Sequence, residues 1–165
     1  MIGRKMEKAI NGQINKELYS AYLYLAMSAY SQGLGLKGFA NWFRVQYGEE
    51  LGHALKFVDY LHEHGNEVVL EAIEKPPAAF KSPASLFEQA LKHEQFVTRS
   101  IHGLVDLAAK ERDHATQSFL KWYVDEQVEE ESQAAEILGR IRMAGGAGSP
   151  GLLFVDRELA ARKAD

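Results

Sequence analysis

Phe39, Phe43, Gln46, Glu50, His53, Phe57 and Tyr60 recur at alternating steps of four and three residues, the spacing of the inward seam of a bundle helix. Most of that seam is aromatic, yet its middle carries a carboxylate and an imidazole. Glu50 and His53 are three residues apart and project from one face. Burying two ionisable groups at neighbouring core positions is costly unless something compensates them. A carboxylate oxygen beside an imidazole nitrogen suits a divalent metal. A chain built on this seam is helical there, and it has to bring more ligands to the same level.

Three further segments do so. Met6 to Gln32 has unbroken helical periodicity, with Ile10, Ile14, Glu17, Ala21 and Tyr24 on its seam. A segment from about Ser85 to Lys110 has Phe87, Ala90 or Leu91, Glu94, Val97, Ile101, Val105 and Ala108. A segment from about Ala115 to Met143 has Leu120, Tyr123, Gln127, Glu130, Ala134, Ile137 and Ile141, and its Gln127 and Glu130 repeat the spacing of Glu50 and His53. Taken singly, Glu17 reads as an exposed acid and Glu129-Glu130-Glu131 as a solvated face, a reading kept for Glu131. His93 points about 100° away from its neighbour Glu94 and reads as a surface residue or one touching a ligand from outside. The coincidence is what counts. Each polar group sits near the midpoint of its helix, and midpoints in a bundle share one level whether neighbours run parallel or antiparallel. Glu17, Glu50, His53, Glu94, Gln127 and Glu130 then form one layer. Desolvation makes its carboxylates untenable when empty and ionised; two divalent cations would neutralise them, the alternative being a hydrogen-bonded polar layer with protonated carboxylates.

The connections set the topology. Gly33-Leu34-Gly35-Leu36-Lys37-Gly38 matches a phosphate-loop pattern, but a helix rather than a strand precedes it, so it reads as a turn into a second helix over about 36–64. Gly65 to Pro83 is a long break containing a β-leaning piece, Val68-Val69-Leu70. A helix of this length spans about 40 Å and an extended loop of this length about 60 Å. The break can therefore run the length of the bundle and join two parallel helices. The expectation is an all-α single domain over 1–165: a four-helix bundle over about 6–143 with one long crossover, then a short fifth helix over about 150–162. Ser149-Pro150 is a helix start, and the apolar segment behind it is too short to hold a helix alone; it has to dock on its own bundle or on another subunit. Gly48 and Gly52 flank the proposed ligands in the second helix, and room for close backbone approach would explain them.

Composition narrows the function. The chain has no cysteine, which excludes disulfides, iron–sulfur clusters and thiolate zinc sites. A net charge of -4 with no basic run argues against a nucleic-acid partner. No signal-peptide core is visible, and the longest apolar run, Ala21 to Met27, is too short for a membrane span. A cytoplasmic protein is expected.

Glu17-Leu18-Tyr19-Ser20, Glu49-Glu50-Leu51-Gly52-His53, Lys92-His93-Glu94 and the run from Phe119 to Glu131, in this order, resemble the ferritin family, and most closely its bacterial and archaeal non-haem members, over essentially the whole chain. The resemblance implies a ferritin-like fold and ferroxidase activity: Fe(II) is oxidised by dioxygen or peroxide at a di-iron centre, and the ferric product is stored in a hollow homo-oligomer of about 24 chains. Glu17, Glu50 and His53 would hold the first iron, with Glu50 placed to bridge. Glu94, Gln127 and Glu130 would hold the second, more weakly, because a neutral amide stands where the symmetric plan has an imidazole. By the same resemblance Tyr24 lies near the di-iron centre and donates hydrogen bonds. Bacterioferritins bind haem through a methionine just before the second-helix histidine; Gly52 occupies that position, so no haem is expected. A soluble di-iron oxidase or oxygenase without a cage is the alternative reading. Finally, Glu49 and Glu126 are offset by about 100° to the same side of Glu50 and Gln127, with Glu129 further round. They would gather just outside the layer, where the resemblance implies a third iron site.

Overall fold

The computed structural model describes residues 2–163. It contains α1 (Arg4–Gly33), α2 (Lys37–Glu63), α3 (Pro83–Glu111), α4 (His114–Met143) and α5 (Pro150–Leu159), with no strand among the described residues. Local chemistry explains the boundaries. The Ser82 side chain accepts from the Ser85 backbone N–H at 3.1 Å, and the Ser85 hydroxyl oxygen accepts in turn from the Ser82 N–H at 2.9 Å, closing a reciprocal cap on α3. Asp113 caps α4 through the Thr116 N–H at 3.0 Å, and Ser149 caps α5 through the Leu152 N–H at 3.1 Å. Arg112, in the left-handed region at φ 55°, ends α3, so the turn into α4 is tight.

Packing fixes the directions. The Gln13 and Ser100 side chains meet, as do the Tyr60 and Thr116 hydroxyls, so α1 runs antiparallel to α3 and α2 antiparallel to α4. Phe39, Trp42 and Phe43 at the start of α2 all contact Phe87 at the start of α3, so α2 and α3 are parallel, as the long break requires. That break does not form a strand. It lies extended along α1, which satisfies its backbone with side chains. Asn66 takes the Ile2 N–H at 3.0 Å, Asn11 accepts from Val69 at 2.7 Å and donates to Glu67 O at 2.9 Å, Asn15 donates to Ala72 O at 3.2 Å, and the Tyr30 hydroxyl donates to Phe80 O at 2.5 Å. The β-leaning residues Val68 to Leu70 have no second strand to pair with, and asparagine amides take the place of a ladder.

The apolar core is split in two. One cluster includes Tyr24, Phe39, Phe43, Phe87 and Ile141; the other includes Met6, Ile10, Phe57, Ile101 and Tyr123. The polar layer of Glu17, Glu50, His53, Glu94, Gln127 and Glu130, every member buried, lies between them.

The glycines of α2 depart from expectation. Gly48 and Gly52 are exposed, and a Cβ added at either meets nothing within 4 Å among the described residues, so no backbone of this chain's described part approaches them. The close approach occurs at Gly38, where a Cβ would lie 1.6 Å from the carbonyl oxygen of Asp156 in α5. The same segment is tied down by the Phe39 N–H donating to Asp156 Oδ1 at 3.0 Å and by Asn41 donating to Leu159 O at 3.2 Å. One substitution should therefore have opposite signs at two positions. Gly38→Ala is expected to cost about 2 kcal/mol or more and to expose the Gly145–Gly148 linker to protease. Gly52→Ala should gain about 1 kcal/mol from helix propensity alone. Thermal unfolding and limited proteolysis of the two variants decide it.

Candidate metal centre

Each helix supplies its mid-seam residues to one point. Glu17, from α1, and Glu50 and His53, from α2, offer ligand atoms that lie within 4.8 Å of one another, all three residues being buried. His53 Nδ1 is 3.4 Å from Glu50 Oε2. On its other side His53 Nε2 is 3.7 Å from Glu126 Oε1, and His53, Glu126 and Glu130 form a second such group. The imidazole therefore stands between an inner and an outer set of acids, with one nitrogen towards each.

Hydrogen-bond donors hold the remaining candidate ligands. Glu94 accepts from the Tyr24 hydroxyl and, at 3.1 Å, from the Gln127 amide nitrogen. Glu130 Oε2 accepts from Gln46 Nε2 at 2.5 Å. Glu17 Oε1 accepts from Gln13 Nε2 at 2.8 Å; Gln13 Oε1 accepts from the Ser100 hydroxyl at 2.6 Å, and Ser100 Oγ accepts from Lys16 Nζ at 2.7 Å. The opposite oxygens are different. Glu17 Oε2 and Glu50 Oε2 are buried without a hydrogen-bond partner. Two carboxylate oxygens without partners beside an imidazole are a donor set that fits a divalent metal, since buried polar atoms are otherwise nearly always paired.

Electrostatics agrees. Burial, and then the charge of the other carboxylates, pushes Glu50 well above the usual carboxylate range; burial also raises Glu94. Glu17 is raised to about 7 and Glu130 to about 8, in both cases chiefly by burial. Burial lowers His53 to about 4, helped by the nearby Lys56 charge. Without metal the acids hold protons near neutrality while the imidazole is already free to coordinate. A metal therefore has to displace protons. The sign follows. A raised acid contributes stability that is complete below its ordinary value and lost as pH rises through about 7 for Glu17 and about 8 for Glu130. The depressed His53 contributes stability that is complete above about 6.5 and lost as pH falls through about 4. Metal-free protein should thus be most stable in mildly acidic solution and weaken towards pH 9, while affinity for Zn(II) rises over the same interval. Calorimetry in two buffers of different ionisation enthalpy should count at least one proton released per metal bound, and no release would contradict this protonation pattern.

The sequence-predicted residues divide as follows. Glu17, Tyr24, Glu50, His53, Glu94, Gln127 and Glu130 meet in the layer. Glu49, Glu126 and Glu129 line one pocket of about 620 Å³ together with His53, Lys56, Trp122 and Glu130. Glu131 is not merely solvated: it is half-buried and accepts from Thr98 Oγ1 at 2.5 Å. His93 is also half-buried, its Nε2 2.7 Å from the Ser20 hydroxyl and its ring against Tyr19 and Tyr24, so it braces the layer from outside. Gln13, Gln46 and Arg162 were not anticipated. Gln13 lies one helical step before Glu17 and Gln46 lies on the seam before Glu50, so both carried a signal in their spacing. Arg162 carried none.

Known proteins match this arrangement closely. The model of the family described as Ferritin-like domain matches residues 7–144. The bacterial non-heme ferritin of Bacteroides fragilis is 42% identical over 162 residues, covering 98% of this chain and 100% of that protein. That of Campylobacter jejuni is 39% identical, covering 96% of this chain and 95% of the other. Among solved structures, an open pore ferritin from the hyperthermophilic archaeon Archaeoglobus fulgidus superposes with a TM-score of 0.97 at 50% identity, covering 99% of this chain and all of that one. With a metal-fitting layer in the middle of the bundle and likeness of this extent from end to end, the chain belongs to the ferritin family, alongside the non-haem ferritins.

Proposed function

We propose that this protein oxidises Fe(II) at the carboxylate layer and stores the ferric product inside a closed homo-oligomer. The observation that carries the reading is the pair of orphaned oxygens, Glu17 Oε2 and Glu50 Oε2, beside a neutral His53. Iron is the substrate. Glu17, Glu50 and His53 bind the first ion, and Glu50 bridges to a second held by Glu94, Gln127 and Glu130. Hard carboxylate oxygens favour the ferric state, which is how the ligand set drives oxidation by dioxygen or peroxide. Tyr24 keeps Glu94 oriented through its hydroxyl. Gln127, whose nitrogen donates to Glu94, offers a neutral amide oxygen, which makes the second ion the weaker and the first to leave. Glu49, Glu126 and Glu129 receive a third ion at the mouth of the pocket and pass iron between the layer and the storage cavity. No haem takes part, because Gly52 has no thioether to offer. The same reading places the protein in the cytoplasm, where its substrate stays reduced. An oxygenase role is disfavoured by the pocket beside the layer, whose lining is mostly charged, with Glu49, Glu126, Glu129 and Glu130 facing Lys56, Arg162 and Lys163, and so offers little apolar surface to an organic substrate.

The test is an anaerobic Fe(II) titration followed by air. Rapid oxidation and iron that stays with the protein through gel filtration are the expected results, from a particle whose light scattering corresponds to a large closed assembly. Absent oxidation would sink the ferroxidase reading. A monomer or dimer at physiological salt would sink the storage role.

A further inference from the structure

We propose that Arg162, just beyond α5, is a tethered counter-ion for the outer metal position, and that it positions the ligand Glu130 through Gln46. The proposal rests on reading Glu49, Glu126 and Glu129 as a metal position.

Arg162 is largely covered. Its side chain is 17% exposed, and its Nη2 donates to Glu49 Oε2 at 2.6 Å. Nη1 donates to Gln46 Oε1 at 2.8 Å, and the guanidinium carbon stands 4.5 Å from the centroid of the Trp42 ring. Trp42, Gln46 and Glu49 follow one another at steps of four and three along α2, so the residue grips one stripe of that helix. The grip is held from behind by α5, whose docking depends on the close approach at Gly38 and on Asn41 donating to Arg162 O at 3.0 Å.

Two consequences follow from the geometry. A guanidinium has only donors, so it takes the Gln46 amide oxygen and leaves the Gln46 nitrogen to face Glu130 Oε2 at 2.5 Å. Arg162 thereby decides which way the amide points and restrains one oxygen of Glu130. In addition, a cation entering between Glu49 and Glu126 meets a positive charge already paired with Glu49. It has to displace that charge, and the tether returns the charge when the ion leaves. The outer position is therefore weak by construction, a place of transit rather than a trap.

The test uses the assembled, metal-free protein and Tb(III), which is redox-inert and whose emission is sensitised by tryptophan; Trp122 lines the same pocket. In Arg162→Gln the outer Tb(III) affinity should rise about tenfold, the effect of removing one nearby, partly solvated charge. Arg162→Lys keeps the charge and should stay within about threefold of the parent. Should the Gln variant lose helix content or assembly, Arg162→Met, which keeps a stem over Trp42, makes the same comparison. A purely structural Arg162 would change unfolding temperature or particle size and leave Tb(III) affinity unmoved; unchanged or weaker affinity in the charge-removing variants overturns the proposal alone. Doubling Glu126→Gln with Glu129→Gln in the parent separates the two ideas. If the outer, weaker component of the Tb(III) titration survives that change, the outer metal position itself is wrong and the proposal falls with it.

Discussion

Glu50→Ala and His53→Ala are each expected to abolish fast Fe(II) oxidation, by more than about a hundredfold, while helix content by circular dichroism stays that of the parent. Disturbing groups that merely support a metal's ligands already costs about 10–100-fold, and these two are proposed as ligands themselves. Glu50 feels the charges of Glu94, Glu17 and Glu130, so its loss would remove the proposed bridge as well as a proposed ligand. His53 is the one nitrogen donor among the layer residues, and its burial keeps it neutral and ready to bind. Folding should survive, because the aromatic seam on either side of the layer is untouched and a buried carboxyl held protonated contributes little to stability. Glu50→Gln, which keeps the volume, separates loss of charge from the cavity left by Ala. Stopped-flow oxidation rates are the measurement. Parent-like rates in both Ala variants would place the chemistry elsewhere.

The second large effect is expected at α5. This helix buries Leu152, Val155 and Leu159 on its own bundle, but Leu153 is 61% and Phe154 65% exposed. Two large apolar side chains side by side on a ten-residue helix are the form a subunit contact takes before assembly. If the protein assembles as proposed, the double change Leu153→Asp and Phe154→Asp should shift the particle from the large closed form to small species by light scattering, since buried like charges have no partners there. The first oxidation phase should persist, because every layer ligand comes from one chain, while iron retained through gel filtration should fall to near background. A double variant that still assembles would remove α5 from the contact.

The layer was legible because its signal is local. An acid on an apolar seam is visible from spacing alone, and the cost of burying it supplies the metal argument without knowing how the helices pack. The long break could be assigned a length and hence parallel neighbours, but not a path. Its course along α1 depends on Asn11, Asn15 and Asn66 meeting backbone far away in sequence. Gly48 and Gly52 could not be explained from sequence for a related reason: a glycine in a helix states that a side chain is missing, not what lies opposite. Only the packed structure shows open space at those two and a carbonyl oxygen at Gly38.

What the sequence by itself determined is therefore the helical pattern, the polar level across four helices and the chemistry of a cation site, all consequences of periodicity and desolvation within single segments. Tertiary structure decided which donor takes which carboxylate oxygen. It assigned Gln46 to Glu130 and the Gln127 nitrogen to Glu94, and it left Glu17 Oε2 and Glu50 Oε2 without partners. It also brought Arg162 to Glu49 across more than a hundred residues of chain, at 2.6 Å. Such bonds form only where helices distant in sequence are fixed to within an ångström or so, because a hydrogen bond weakens steeply outside its narrow range of distance and angle, and no periodicity in one segment encodes that placement.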